Sequence, residues 1–386
     1  MRPEIVVDLA AIRHNVRTLR QLVAPAAMLT VVKADGYGHG LLETGRAARE
    51  GGATWLGVAT VSEALALRDA GDTGPLLCWL TLPADAEDGS LDRAVAAGVE
   101  VTAYTPGRLD DLVAAGRRAG EVPRVQLKVD TGLSRGGATM ADWPALVGAA
   151  AAHERAGAVR ITGVWSHFAC SDEPEHPAND LQERRYLAAV AVAEQAGLRP
   201  EVRHLANSAA AILRPGSRFD LVRCGLACYG LDPAPGVTPD IGLRPAMTVR
   251  TPLALAKAIA AGEGVSYGHT WVADSDTTVG LVPVGYGDGV PRHGSNVLEV
   301  AIDGVRRPVR GRVCMDQVVV DLGGDLPEPG TPVTLFGPGD HGGPTAQEWA
   351  EACGTISYEI VTRIGGRLAR RYVDTEDAAP AEGGNA

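Results

Sequence analysis

Lysine is almost missing from this 386-residue chain: Lys33, Lys128 and Lys257 stand against thirty-three arginines. Chemistry that needs an amine therefore has three candidates. Positive charge is also in deficit, with a formal net charge of -11 at pH 7. That argues against a nucleic-acid or anionic-membrane surface, since both require clustered Lys and Arg to meet phosphates. No nucleic acid and no membrane are expected, and a small molecule is the expected partner. The six cysteines form no CxxC pair and follow no regular spacing, and no metal site is expected. The opening MRPEIVVDLA lacks the basic and long apolar regions of a signal peptide, and no apolar run approaches the roughly 18 residues of a membrane helix. The expected location is the reducing cytoplasm. Hydrophobic residues at 45% and charged residues at 22% are those of an ordinary globular protein with room for two domains. Only the tail, TEDAAPAEGGNA, has low complexity, and residues 376–386 are predicted to be disordered.

Asp8 reads as an N-cap. Leu9, Ile12, Val16, Leu19 and Val23 follow at steps of three and four, which predicts an amphipathic helix over 9–24. Eight short apolar strand candidates come next, near residues 28–32, 54–60, 75–80, 99–104, 124–130, 160–168, 202–207 and 220–225. Helical stretches such as SEALALRDAG and LQERRYLAAVAVAEQAG separate them, most ending at a glycine where a C-cap is expected. This alternation predicts an α/β protein with a parallel (β/α)8 TIM-type barrel over residues 1–235. A doubly wound sheet stays open, because strand order is invisible in a sequence. Past residue 235 the chain turns rich in proline and glycine (DPAPGVTPDIGLRP), then carries β-type runs such as TVGLVPV, QVVVDL and PVTLF and one helix near TAQEWAEAC. A mainly β C-terminal domain is predicted over 236–375, with residues 1–8 as candidates to pair with it.

In such barrels the active site lies at the C-terminal ends of the strands, often with a phosphate site after strands 7 and 8. Lys33 and Tyr37 follow the first strand; Lys128, Asp130 and Arg135 lie at or after the fifth; His167 ends the sixth; Asn207 and Ser208 end the seventh; Arg223 and Gly225 end the eighth. Each has a plainer explanation. Lys33 would be a snorkelling lysine, Lys128 would pair with Asp130, His167 would be a core residue, Asn207 and Ser208 would cap the helix SAAAIL, and Arg223 would pair with Asp220. Taken together, a lysine at the barrel mouth opposite a phosphate site suits pyridoxal phosphate held as a Schiff base. A lysine aldolase without cofactor fits the same barrel residues.

The chain resembles the alanine racemases, fold-type III pyridoxal-phosphate enzymes, from residue 4 to about 373. The resemblance rests on VVKADGYGHG around Lys33, DTGLSRGG around Arg135, HFACSD around His167, ANSAA at 206–210, RCGLACYG from Arg223, SYGHT around Tyr267, GYGDG around Tyr286, RVCMDQ around Cys314, Met315 and Asp316, and YEI at Tyr358. Two positions depart from the family's pattern: Leu133 stands where methionine is usual and Cys224 where proline is usual. The resemblance implies pyridoxal 5'-phosphate as cofactor, attached through Lys33. Tyr37, Asn207, Ser208, Gly225, Leu226 and Tyr358 would surround its phosphate, and Arg223 its ring nitrogen. An arginine only donates, so that nitrogen would stay unprotonated. Two bases are implied for L-alanine and D-alanine, Lys33 on one face and Tyr267 of the partner subunit on the other, with His167 linking Arg223 to the tyrosine. Arg135 would bind the substrate carboxylate, while Tyr286, Cys314, Met315 and Asp316 would line the entrance and substrate pocket. Lys128 would be carbamylated. A homodimer with shared sites follows, as does a role in supplying D-alanine for peptidoglycan.

Two rival functions remain at this stage. A pyridoxal-phosphate homeostasis protein on the same barrel would lack the second domain that carries SYGHT and RVCMDQ. A racemase of broader specificity, or a decarboxylase of the same fold, would differ in pocket size, which Tyr286 and Tyr358 are expected to restrict.

Overall fold

The computed structural model describes residues 2–375; the tail 376–386 lies outside them. After β1 (Glu4–Asp8), eight strands run parallel: β2 (Ala27–Val31), β3 (Trp55–Thr60), β4 (Leu76–Leu80), β5 (Glu100–Ala103), β6 (Arg124–Lys128), β7 (Arg160–Trp165), β8 (Val202–His204) and β9 (Leu221–Cys224). From β2 to β8 each strand pairs with the next in sequence, and β9 pairs back onto β2. The seam between β8 and β9 is bridged by the Asp220 N–H on the Arg203 carbonyl at 3.1 Å and the Arg223 N–H on the Ala206 carbonyl at 3.0 Å. The order is circular, so the expected barrel holds and the doubly wound alternative falls. Each of the eight strand candidates coincides with one barrel strand.

The helix Leu9–Val23 forms as its periodicity requires. Asp8 accepts from the Ala10 amide at 2.9 Å, and Ile12, Val16, Leu19 and Val23 are buried along one face. Burying four such side chains is worth about 1.5–3 kcal/mol each, set against the entropy of ordering them.

β1 does not belong to the barrel. It lies between Met247–Pro252, antiparallel, and Ala369–Val373, parallel, in a six-stranded sheet of the C-terminal part. A three-stranded sheet (Leu255–Ile259, Thr277–Val282, Val318–Asp321) and a small hairpin (Gly264–Val265 with Trp271–Val272) complete the β structure. The helix expected near TAQEWAEAC is Ala346–Cys353, and a second one, Ser357–Arg363, follows it. That second helix went unpredicted because seven residues are too few to display a helical period. Among the described residues no helix is long and apolar enough to cross a membrane.

Candidate active site

Lys33 leaves the end of β2 on a turn of the wrong hand. Ala34, Asp35, Gly36 and Tyr37 all have φ between 53° and 60°, the left-handed region that costs a non-glycine residue roughly 1–2 kcal/mol. Contacts from distant parts of the chain hold it there. The Ala34 amide donates to Glu63 at 2.7 Å, Asp35 accepts from the Leu41 amide at 2.9 Å, and Arg370 both pairs with Asp35 at 2.6 Å and donates to the Gly38 carbonyl at 2.8 Å. Gly38 itself has φ 80°, and a Cβ there would sit 2.3 Å from the Val361 carbonyl oxygen. The turn aims Lys33 into a cavity of about 890 Å³ at the C-terminal mouth of the barrel. Burial, then Arg135, lowers the Lys33 pKa from its ordinary value.

The cavity wall contains Lys33, Lys128, Arg135 and Arg223 and not one Asp or Glu. Four cations facing one space without a counter-charge define a site for anions. Arg223, on β9, is buried and held through both terminal nitrogens: Nη1 donates to His204 Nδ1 at 2.8 Å, and Nη2 donates to the carbonyls of Ser166 and Leu205 and to His167 Nδ1 at 3.1 Å. The expected pair with Asp220 does not form, because Asp220 is engaged by Arg203 at 2.8 Å. Nor does Asp130 hold Lys128. Its carboxylate accepts instead from the amides of Gly132, Leu133 and Ser134, shaping the loop that carries Arg135. Lys128 Nζ stands 4.5 Å from the Trp165 ring centroid, and burial followed by Arg223 pushes its pKa down to about 8. Burial and Arg223 together hold His167 well below the ordinary histidine value.

After β8, Asn207 caps the helix Ser208–Leu213, and Ser208 Oγ accepts from the amide of Gly225, which follows the neighbouring β9, at 2.8 Å. The capping explanation holds for Asn207 and not for Ser208, whose hydroxyl is engaged by Gly225, and both residues also line the cavity. Gly225 is tight: a Cβ would come within 2.5 Å of the Tyr37 hydroxyl. Tyr37 and Tyr358 enter the wall, while the Leu226 side chain is buried in the core behind Gly225 and takes no part in it. Trp79, Tyr104 and Trp165 also line the cavity and escaped the sequence reading. They sit at or just after the ends of β4, β5 and β7, where the same strand-end rule finds them once it is applied to apolar side chains.

The remaining candidates gather elsewhere in the chain. Tyr267 is 71% exposed, Met315 55% and Tyr286 40%. Backbone bonds from Tyr286 and Gly287 to the carbonyls of Cys314 and Met315 tie these loops together, Ser266 Oγ lies 3.2 Å from Cys314 Sγ, and Arg367 pairs with Asp316. None of Tyr267, Tyr286, Cys314, Met315 or Asp316 lines the cavity of its own chain.

Family models described as the alanine racemase N-terminal and C-terminal domains match residues 7–233 and 246–372. The chain belongs to the alanine racemase family. It is 53% identical to the alanine racemase of Streptomyces coelicolor over 381 residues, covering 97% of this chain and 96% of that one, and 52% identical to that of Frankia casuarinae over 375 residues, 97% of each. The crystal structure of alanine racemase from D-cycloserine-producing Streptomyces lavendulae superposes with a TM-score of 0.94 at 50% identity, covering 97% of this chain and 98% of that chain. The alanine racemase of Bacillus anthracis, solved with bound L-Ala-P, gives 0.88 at 33% identity, covering 97% and 96%.

The activity is accordingly that of an alanine racemase, an isomerase dependent on pyridoxal 5'-phosphate. The match to the C-terminal racemase domain removes the homeostasis protein, and the aldolase falls with it. The cavity suits that cofactor on its own terms. It offers the Lys33 amine, a cradle of Ser208, Gly225, Tyr37 and Tyr358, and Arg223, whose Nε finds no acceptor among the described residues.

Proposed function

We propose that Lys33 and Tyr267 of the partner subunit are the two bases of this racemase, acting on opposite faces of alanine in a site shared across a homodimer. The observation that carries this is the division of the candidates: a cation-lined cavity with its amine in the barrel, and an exposed tyrosine with its neighbouring loops on the other domain. A chain that worked alone would leave Tyr267 without a site.

Tyr37, Asn207, Ser208, Gly225, the Leu226 backbone and Tyr358 would hold the phosphate, His167 and Arg223 the ring, and Lys33 the aldehyde carbon. When bound, pyridoxal 5'-phosphate supplies an electron sink that makes the α-proton of alanine removable. Lys33, its pKa lowered by burial, carries a neutral amine fraction that accepts the proton on one face. Arg135 pairs with the substrate carboxylate and fixes Cα between the two bases. Tyr267 returns a proton from the other face. Arg223 is lowered to about 10 by burial and stays a cation near neutral pH, so it donates and never receives. Tyr286, Cys314, Met315 and Asp316 of the partner subunit would border the entrance. Lys128, at about 8, has a neutral amine fraction near neutral pH, which suits a carbamate whose negative charge would orient Arg135. Mass spectrometry under dissolved carbon dioxide should find the added mass on Lys128, and an unmodified residue there would remove the carbamate. The six cysteines stand free, which supports a reducing cytoplasm, where D-alanine would supply peptidoglycan.

Subunit exchange tests the shared site. Mixing Lys33→Ala with Tyr267→Ala should restore activity, because a mixed two-fold dimer has one doubly damaged site and one intact site. Random assortment sets a ceiling of roughly a quarter of wild type. Mixtures that exchange subunits yet stay inactive would place both bases in one chain.

A further inference from the structure

Below the cavity, a chain of polar side chains crosses the barrel core. It begins at Glu100, only 2% exposed on β5, whose Oε1 accepts from Arg124 at 2.7 Å and whose Oε2 accepts from Gln126 Nε2 at 2.8 Å and Thr162 Oγ1 at 2.6 Å. The other end of the Gln126 amide, Oε1, lies 2.7 Å from His204 Nε2, and His204 Nδ1 lies 2.8 Å from Arg223 Nη1. Gln126 and His204 are wholly buried, and the His204 ring stacks on Trp165 at 5.5 Å and 6°. The barrel makes room for this chain. The pairing of β6 with β7 slips at Val125/Gln126, leaving Thr162 as the extra residue of a bulge, and a Cβ on Gly163 would lie 2.7 Å from the Gln126 carboxamide carbon. Such bulges re-aim a side chain next to a site.

Proton positions along the chain follow by elimination. An ion-paired carboxylate only accepts, so Gln126 must turn its NH2 toward Glu100 and its carbonyl toward His204. That carbonyl only accepts, so His204 carries its proton on Nε2. Nδ1 is then a lone pair facing Arg223, which has nothing but donors. Reversing any link would set two donors or two acceptors against each other in a buried place. Burial and Arg223 hold His204 well below its ordinary pKa, consistent with a neutral ring.

We infer that Gln126, oriented by Glu100, is a positioning residue for the racemase reaction: it holds His204 as the Nε2–H tautomer whose Nδ1 lone pair fixes Arg223, the residue that would face the cofactor's ring nitrogen. The inference rests on Arg223 facing that nitrogen. Neutron diffraction from perdeuterated holoenzyme crystals tests it directly. Deuterium on Nε2 and none on Nδ1 of His204 is expected; deuterium on Nδ1, or on both, overturns the inference. The same map shows which residue faces the ring nitrogen, so an error in the site assignment is seen separately, and with any residue other than Arg223 there the positioning role also falls. In solution, Gln126→Leu should lower kcat about tenfold, the rate equivalent of one buried donor left without an acceptor, with little change in KM. It should also move the pH at which the bound cofactor's visible absorbance titrates. Gln126→Glu keeps an acceptor against Nε2 and, held protonated beside the buried Glu100 carboxylate, donates an O–H where the amide donated an N–H, so it should restore both. If Gln126→Leu merely lowers Tm, or if both variants lose kcat alike, Gln126 is structural only.

Discussion

Lys33 stands on a strained turn pinned by contacts from the first barrel helices, from Ser357–Arg363 and from the last strand of the chain, while Tyr267 stands on a short hairpin with 71% of its surface in solvent. Of the two proposed bases, one is over-determined within its own chain and the other stands free of such contacts. The difference has a physical rationale. A residue that anchors a cofactor and also moves a proton must be located to a fraction of an ångström, and left-handed backbone persists only where surrounding contacts outweigh its cost. A base delivered by a second subunit, as proposed above, would need a surface able to dock, and Tyr267 with its neighbours Tyr286 and Met315 is exposed as such a surface requires.

Substitution at the two bases should separate these roles. Lys33→Ala removes the anchor and one base together, and activity in both directions should fall by more than the roughly 10²–10⁴-fold expected for an acid–base group alone. Borohydride should no longer fix the cofactor's mass to the peptide carrying residue 33; a label on Lys128 or Lys257 in the wild type would break the assignment. Tyr267→Phe should cost on the order of 10²–10⁴-fold in kcat and leave the borohydride-fixed label in place. Loss of that label in Tyr267→Phe would show that the tyrosine side does more than complete the site.

The legible part of this site was the part governed by local pattern. Strand ends marked Lys33, Lys128, His167, Asn207 and Arg223 because a polar residue stopping an apolar run at a barrel mouth is a one-dimensional signal. The left-handed turn was not legible: Ala34 has no local preference for positive φ, and the contacts that hold the turn include Glu63 and Arg370, the latter more than three hundred residues away. The partner of Asp220 was misread for the same reason, since Arg203 reaches it across the barrel seam and not along the chain. Gln126 and Glu100 sit in strands whose alternation looks ordinary, and only the assembled barrel shows that their polar ends face inward. The roles given to Tyr267, Cys314 and Asp316 came from motif resemblance, for no spacing within one chain points to a cavity in another.

Protonation offers an intermediate test of how closed the barrel half is. Lys128 is pushed down to about 8, by burial first and then by Arg223, from an ordinary 10.5. Between those two values the unfolded chain binds more protons than the folded one, so stability should rise with pH across that window, and on lowering the pH the gain is lost from 10.5 down to about 8, below which the slope vanishes. The contribution is at most on the order of 3 kcal/mol. Denaturant unfolding in buffers stripped of carbon dioxide, so that the residue stays an amine, should show this slope in wild type and a flatter one in Lys128→Met. Equal slopes would mean that water reaches Lys128 freely and the cavity half is less enclosed than its contacts suggest.

The smallest effect concerns the clamp on the Lys33 turn. Arg370 is partly exposed, so its pair with Asp35 alone should contribute little; its bond to the Gly38 carbonyl is the more protected contact. Arg370→Ala should therefore lower stability by only about 1 kcal/mol. If the clamp merely glues the last strand to the barrel, kcat should be untouched. If it holds the turn against its own strain, kcat should drop severalfold while KM for alanine changes little, because Arg135, which is proposed to bind the substrate carboxylate, does not depend on it. Arg370→Lys keeps one donor and one charge, and should recover part of the rate but not the bidentate geometry. A variant that loses stability with a wild-type kcat would show that the turn is set by Glu63 and Gly38 alone, and that the contrast between the two bases does not extend to the last strand.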